Sequence, residues 1–116
     1  MRHIYTTAVE ALTADASGRR KFQSVEMIYF HQWWVDPRTT DAQRADARAL
    51  VAARRLAFAV GGWVMPDEAT TDYTDLIETM TAGHEWITAE FGRAAARCTA
   101  CSMYCRVLSA AFSAAS

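Results

Sequence analysis

The stretch Leu56-Ala57-Phe58-Ala59-Val60-Gly61-Gly62 decides how the chain is read. A short apolar run closed by two glycines predicts a buried strand that ends in a tight turn. Upstream, Phe22-Gln23-Ser24-Val25-Glu26-Met27-Ile28-Tyr29-Phe30 is equally short and apolar, and it lies between Arg19-Arg20-Lys21 and Pro37. It predicts a first buried strand, in which Glu26 would need a partner. Between the two, Thr40-Asp41-Ala42-Gln43 has the spacing of a capping box. The helix it opens runs to about Arg55, with Ala42, Ala45, Ala49, Ala52, Ala53 and Leu56 as its apolar stripe. Strand, crossover helix and strand make a βαβ unit with parallel strands.

Working outward, Ile4, Ala8, Ala11, Leu12 and Ala16 recur at helical spacing, and Ser17-Gly18 stops that helix. After the glycines, Trp63-Val64-Met65-Pro66-Asp67-Glu68 reads as a loop, because proline removes a donor and fixes φ. A third helix is expected from about Asp72 to Phe91, with Tyr73, Leu76, Ile77, Met80, His84, Ile87 and Phe91 on one stripe. The expected fold class is α/β, in the order α-β-α-β-α. Two parallel strands leave two sheet edges unpaired, so the pattern suggests part of a larger α/β assembly.

Composition bounds the function. The chain has 116 residues, enough for one domain, with 52% hydrophobic and 22% charged residues, which argues against disorder. A net charge of −1 offers no field that would draw nucleic acid. No apolar run approaches the ~20 residues of a membrane span, and Met1-Arg2-His3-Ile4-Tyr5 lacks the apolar stretch of a signal peptide. The three cysteines are confined to Cys98, Cys101 and Cys105, an odd set that cannot close a disulfide framework.

Gly61-Gly62-Trp63-Val64-Met65-Pro66-Asp67-Glu68-Ala69 resembles the signature of α-mannosidases of glycoside hydrolase family 38. Pro66 makes it similar to the Golgi α-mannosidase II branch. The flanks extend the resemblance: Arg20-Lys21-Phe22, Glu26, Tyr29-Phe30 and Trp33-Trp34 on one side, Tyr73, Leu76-Ile77, Met80-Thr81, Gly83-His84, Trp86 and Phe91-Gly92 on the other. Coverage is about residues 4–92. The resemblance implies a seven-stranded parallel β/α barrel, of which residues 1–92 would be a fragment, with 93–116 a divergent Cys/Ala/Ser-rich tail. It also implies a zinc-dependent retaining exo-α-mannosidase acting on mannose-containing glycans, with one carboxylate as nucleophile and another as acid and base. Zinc would be the cofactor of the intact enzyme. A Golgi or lysosomal location follows by analogy only, since the chain shows no signal or anchor.

The family's His-x-Asp-x-Gly-Trp motif, with two zinc ligands, would precede Met1. Its Asp-Pro-Phe-Gly, with the nucleophile, should follow Gly92, where Arg93-Ala94-Ala95-Ala96-Arg97-Cys98 stands instead. No catalytic residue and no metal ligand is therefore assigned, and the chain alone is expected to be inactive and to self-associate or aggregate.

The candidates for a substrate-facing or loop-holding role are Gly61, Gly62, Trp63, Asp67, Glu68 and His31. The glycines sit at the carboxyl end of a strand, where β/α barrels carry function, though they serve a plain turn equally well. Adjacent Asp67 and Glu68 project apart, unlike a retaining pair. Trp33, Trp34 and Trp63 suit sugar faces but also ordinary packing. His84-Glu85 fails as a zinc motif because position 88 is Thr. Cys98, Cys101 and Cys105 lack an adjacent fourth ligand. Two rivals stand beside the mannosidase fragment: a non-catalytic α/β binding or interaction module derived from a barrel, and a small thiol–metal protein built on the tail.

Overall fold

The computed structural model describes residues 1–67 and 69–98. Its elements are α1 (Arg2–Ala14), β1 (Phe22–Ser24), α2 (Met27–Val35), α3 (Asp41–Ala52), β2 (Leu56–Phe58), α4 (Tyr73–Phe91) and α5 (Arg93–Cys98). The strands pair in parallel, Phe22 with Leu56, Gln23 with Ala57 and Ser24 with Phe58. The expected neighbours are therefore neighbours, with α2 and α3 between them.

The seven-stranded barrel is overturned. Among the described residues the sheet has two strands of three residues each and stays open. A barrel closes only when every strand pairs on both sides. Here most of the chain is helical, and the order is α-β-α-α-β-α-α.

The strand expected over residues 22–30 ends at Ser24. Glu26 stays extended as the N-cap of α2, and Met27, Phe30, Trp33 and Trp34 are buried on the helix that follows. Those positions recur at three- and four-residue intervals, the period of a helix face rather than a strand. The first amides of α2 also find acceptors: Met27 N–H donates to Gly62 O (3.0 Å) and Ile28 N–H to Trp63 O (2.9 Å). Unpaired amides at a helix start would otherwise be costly.

The core is aromatic. Phe30 is fully buried, with ring centroids of Tyr5 at 5.2 Å, Trp33 at 5.3 Å and Phe58 at 5.3 Å. Tyr5 reaches across to β1, its hydroxyl 3.0 Å from Ser24 Oγ, and burial raises its pKa. Helix α1 consequently buries Tyr5, Val9 and Leu12, while Ile4 of the expected stripe is 53% exposed. The aromatic ring, not the aliphatic stripe, sets the rotation of the helix.

Helix α3 opens with the expected capping box. Gln43 N–H donates to Thr40 Oγ1 (3.2 Å), and Thr40 N–H donates to Gln43 Oε1 (3.1 Å). It buries Ala47 and Leu50, whereas Ala45 and Ala49 of the expected stripe are exposed. Helix α4 buries Gly83 and Ile87, but Tyr73 and Ile77 at its start are 75% and 53% exposed. Ala95 of α5 joins the core. Among the described residues no helix is long and apolar enough to cross a membrane.

Candidate functional site

The glycine loop begins with two residues in the left-handed region, Val60 (φ 62°) and Gly61 (φ 73°). That conformation costs a β-branched residue most. His84 of α4 holds it, with Nε2 2.9 Å from Val60 O. The next residues are used by packing. The carbonyls of Gly62 and Trp63 accept the first amides of α2, and Trp63 N–H donates to Thr79 O (2.9 Å). A Cβ on Gly62 would lie 2.9 Å from Met80 Sδ and 3.0 Å from Val64 O. The loop is thus wedged between the start of α2 and the middle of α4.

His31, on α2, is half-buried against two indoles, Trp63 at 5.0 Å and Trp86 at 5.4 Å between centroids. Glu26 finds the partner its position demanded: Oε1 accepts from Met65 N–H at 3.1 Å and ties the loop to the end of β1. Asp67 is exposed and locally engaged, Oδ1 accepting from Ala69 N–H (2.9 Å) and its carbonyl from Thr70 N–H (3.0 Å). These bonds make an Asx turn. Glu68 lies outside the described residues, as do Cys101 and Cys105.

The structure therefore brings Gly61, Gly62, Trp63 and His31 together at the carboxyl ends of the strands, while Asp67 serves its own turn. Sequence reading missed the role of His84, which it placed only on the apolar stripe of its helix, and of Gly83. A Cβ on Gly83 would fall on Gly61 O and within 2.7 Å of Trp63 N. The signal available was a glycine in the middle of an otherwise strong helix, which usually has a packing reason.

Residues 1–100 match the family model described as glycosyl hydrolases family 38 N-terminal domain. The chain belongs to this family. Family 38 relatives include alpha-mannosidase C of Dictyostelium discoideum, 38% identical over 77% of this chain and 8% of its own length. The epididymis-specific alpha-mannosidase of Sus scrofa is 42% identical over 77% of the chain and 9% of its own length. The lysosomal alpha-mannosidase of Homo sapiens is 39% identical over 79% of the chain and 9% of its own length. The chain thus spans under a tenth of the relatives it matches.

Family membership raises the question of zinc, and the donor chemistry answers it for this segment. Among the described residues no group of three or more His, Cys, Asp or Glu side chains could hold a metal ion. His84 Nε2 faces a carbonyl, and Glu26 and Asp67 accept from backbone amides. The residues described do not fit a zinc site. This corrects the reading as a piece of zinc-dependent catalytic machinery. The open, mostly helical fold of the described residues fits the α/β binding or interaction module better than a barrel fragment.

Proposed function

We propose that this chain is a non-catalytic α/β interaction module of family 38, which holds a polypeptide partner through its open sheet. One observation carries the reading: the parallel pair β1–β2 has no third strand among the described residues. An unpaired strand edge presents a row of donors and acceptors that favours pairing with another chain. The exposed Tyr73 and Ile77 support the same reading, because α4 carries apolar side chains that its own core does not cover. The test is an aryl α-mannoside assay of the purified chain, with and without added zinc. No turnover above background is expected; zinc-stimulated turnover that follows the protein through purification would overturn the reading.

A glycan-facing role for the same module is favoured by the loop at the strand ends. Half-buried Trp63 and His31 present a surface with an indole and an imidazole 5.0 Å apart, beside the buried Gly61 and Gly62, and Asp67 follows shortly in sequence. We assign mannose-containing glycans to that surface as the ligand class, by kinship with the alpha-mannosidases. Placement in the Golgi α-mannosidase II branch rests on Pro66, and a Golgi or lysosomal location rests on analogy with relatives such as the lysosomal enzyme. Calorimetric titration with a mannose oligosaccharide tests the assignment. Heat that vanishes in Trp63→Ala supports it, and unchanged heat in that variant removes it.

A further inference from the structure

We infer that the outer face of α4 is the docking site of this chain's own C-terminal segment, which continues α5 as one amphipathic helix and folds back along α4. The inference does not rest on the interaction-module reading, which stands on the open sheet.

Two features of α4 mark the face. Tyr73 and Ile77, both large and apolar, are 75% and 53% exposed. On the following turns, a groove of about 620 Å³ is lined by Met80, Thr81, His84 and Thr88 of α4 and by Arg93 and Ala96 of α5. At about 100° per residue, these α4 positions fall within roughly 100° of one another and form a single face. Gly83 and Ile87, the buried residues of α4, lie outside that arc.

The occupant follows from the residues that come after α5. Gly92 (φ 83°) ends α4, and α5 begins at the next residue, with Ala95 in the core and Arg93 and Ala96 on the groove. Residues 99–116 lie outside the described residues and contain neither Gly nor Pro. Met103, Tyr104, Val107, Leu108, Ala111 and Phe112 recur there at helical spacing, with Ser102, Arg106, Ser109 and Ser113 on the opposite side. Continued from α5 at the same period, that apolar stripe falls on the side that carries Arg93 and Ala96.

Length and register agree. A helix from Arg93 to Phe112 runs about 20 residues, against 19 in α4. Folded back at Gly92, residues equally far from it come level, as in an antiparallel helix pair. Tyr104 is then level with Met80, Val107 with Ile77 and Ala111 with Tyr73, and Leu108 and Phe112 lie beside them. The exposed apolar side chains of α4 meet apolar side chains of the segment. Their burial favours docking within one chain, because no second molecule has to be immobilised.

The test is disulfide trapping in the full chain, with Cys98, Cys101 and Cys105 changed to Ser. Helix axes ~8–10 Å apart bring facing Cα atoms within the ~4.4–6.8 Å that a disulfide spans. Ile77→Cys combined with Val107→Cys should therefore oxidise within one chain, seen by mass as a monomer that has lost two hydrogens. Asp75→Cys combined with Val107→Cys should stay reduced, since position 75 lies at a similar height on the other side of α4. With the native cysteines kept, Leu108→Glu should lower the melting midpoint by about 4–8 °C, and Ser109→Glu should leave it in place. Failure of the Ile77→Cys pair to couple, or equal coupling of the Asp75→Cys pair, overturns the inference. A covalent dimer instead gives the face to a second copy and overturns it too. So do equal midpoints for Leu108→Glu and Ser109→Glu.

Discussion

His84 Nε2 lies 2.9 Å from the carbonyl oxygen of Val60, a β-branched residue held at φ 62°. One side chain on α4 thereby fixes the turn that leads out of β2. Loss of a part-buried hydrogen bond costs about 1 kcal/mol, so His84→Ala should lower stability by roughly that amount. His84→Gln, which keeps a side-chain N–H, should lose less. Urea melts of both variants check this; equal loss in the two would mean that packing of the ring, not the bond, is what matters.

Gly83 sits where α4 crosses the glycine loop. Gly83→Ala would drive a methyl group into Gly61 O and the Trp63 amide, backbone that cannot rotate away. Overpacking of this kind costs about 3 kcal/mol, a large part of a small domain's stability. Gly18→Ala is the control, since nothing lies within 4 Å of its added Cβ and only the strain of φ 64° remains. Melts should show Gly83→Ala as much the worse of the two. A mild effect would mean that the loop can back away from α4.

Acid should weaken the protein through its carboxylates. The Asp15 pKa is lowered to about 2 from an ordinary 3.8, chiefly by the Ser17 side chain, then by the Arg20 amide, with help from Arg55 at 2.9 Å. Asp36 is also held well below the usual carboxylate range, first by the Arg38 side chain. A carboxylate whose folded pKa is depressed contributes stability that is fully present above its unfolded value and is lost as the pH falls. For Asp15 the loss should run from about pH 4 down to about pH 2. Asp15→Asn should lie below wild type at pH 6 and approach it near pH 2. A gap that stays constant across that range would show that Asp15 acts through shape and not charge.

Phe30 joins α1, α2, β2 and α4, with Tyr5, Phe58 and Phe91 within 6.0 Å of its ring. Phe30→Ala should cost about 3–5 kcal/mol. A small domain has little more than that to lose, so far-UV and near-UV dichroism at 25 °C should show extensive unfolding. A variant with a native near-UV spectrum would mean that the surrounding indoles refill the space.

Local chemistry was legible where it needed only near neighbours. The Thr40–Gln43 capping box and the Gly61-Gly62 turn are present as read, and the strands read over 22–30 and 56–60 do pair in parallel, but only through residues 22–24 and 56–58. The site was half legible. Glu26 stood out as a charge in an apolar run, but nothing near it named Met65 as its partner. His84 was visible on the α4 stripe, yet its bond to Val60 depends on where the helix lies, not on its own sequence.

The sequence by itself determined family membership, the helix periods and the parallel strand pair, because those follow from residue identity and short-range spacing. Only the tertiary structure decided that Met27–Val35 is helical, that the sheet stays at two strands among the described residues, and that α1 turns on Tyr5. The spacing of Met27, Phe30, Trp33 and Trp34 suits a helix face, but a helix can start there only where its first amides find acceptors. For Met27 and Ile28 the acceptors are the carbonyls of Gly62 and Trp63, which reach them only after the chain has folded back. Which helix faces are buried is settled the same way, by the aromatic rings around Phe30, which meet only in three dimensions.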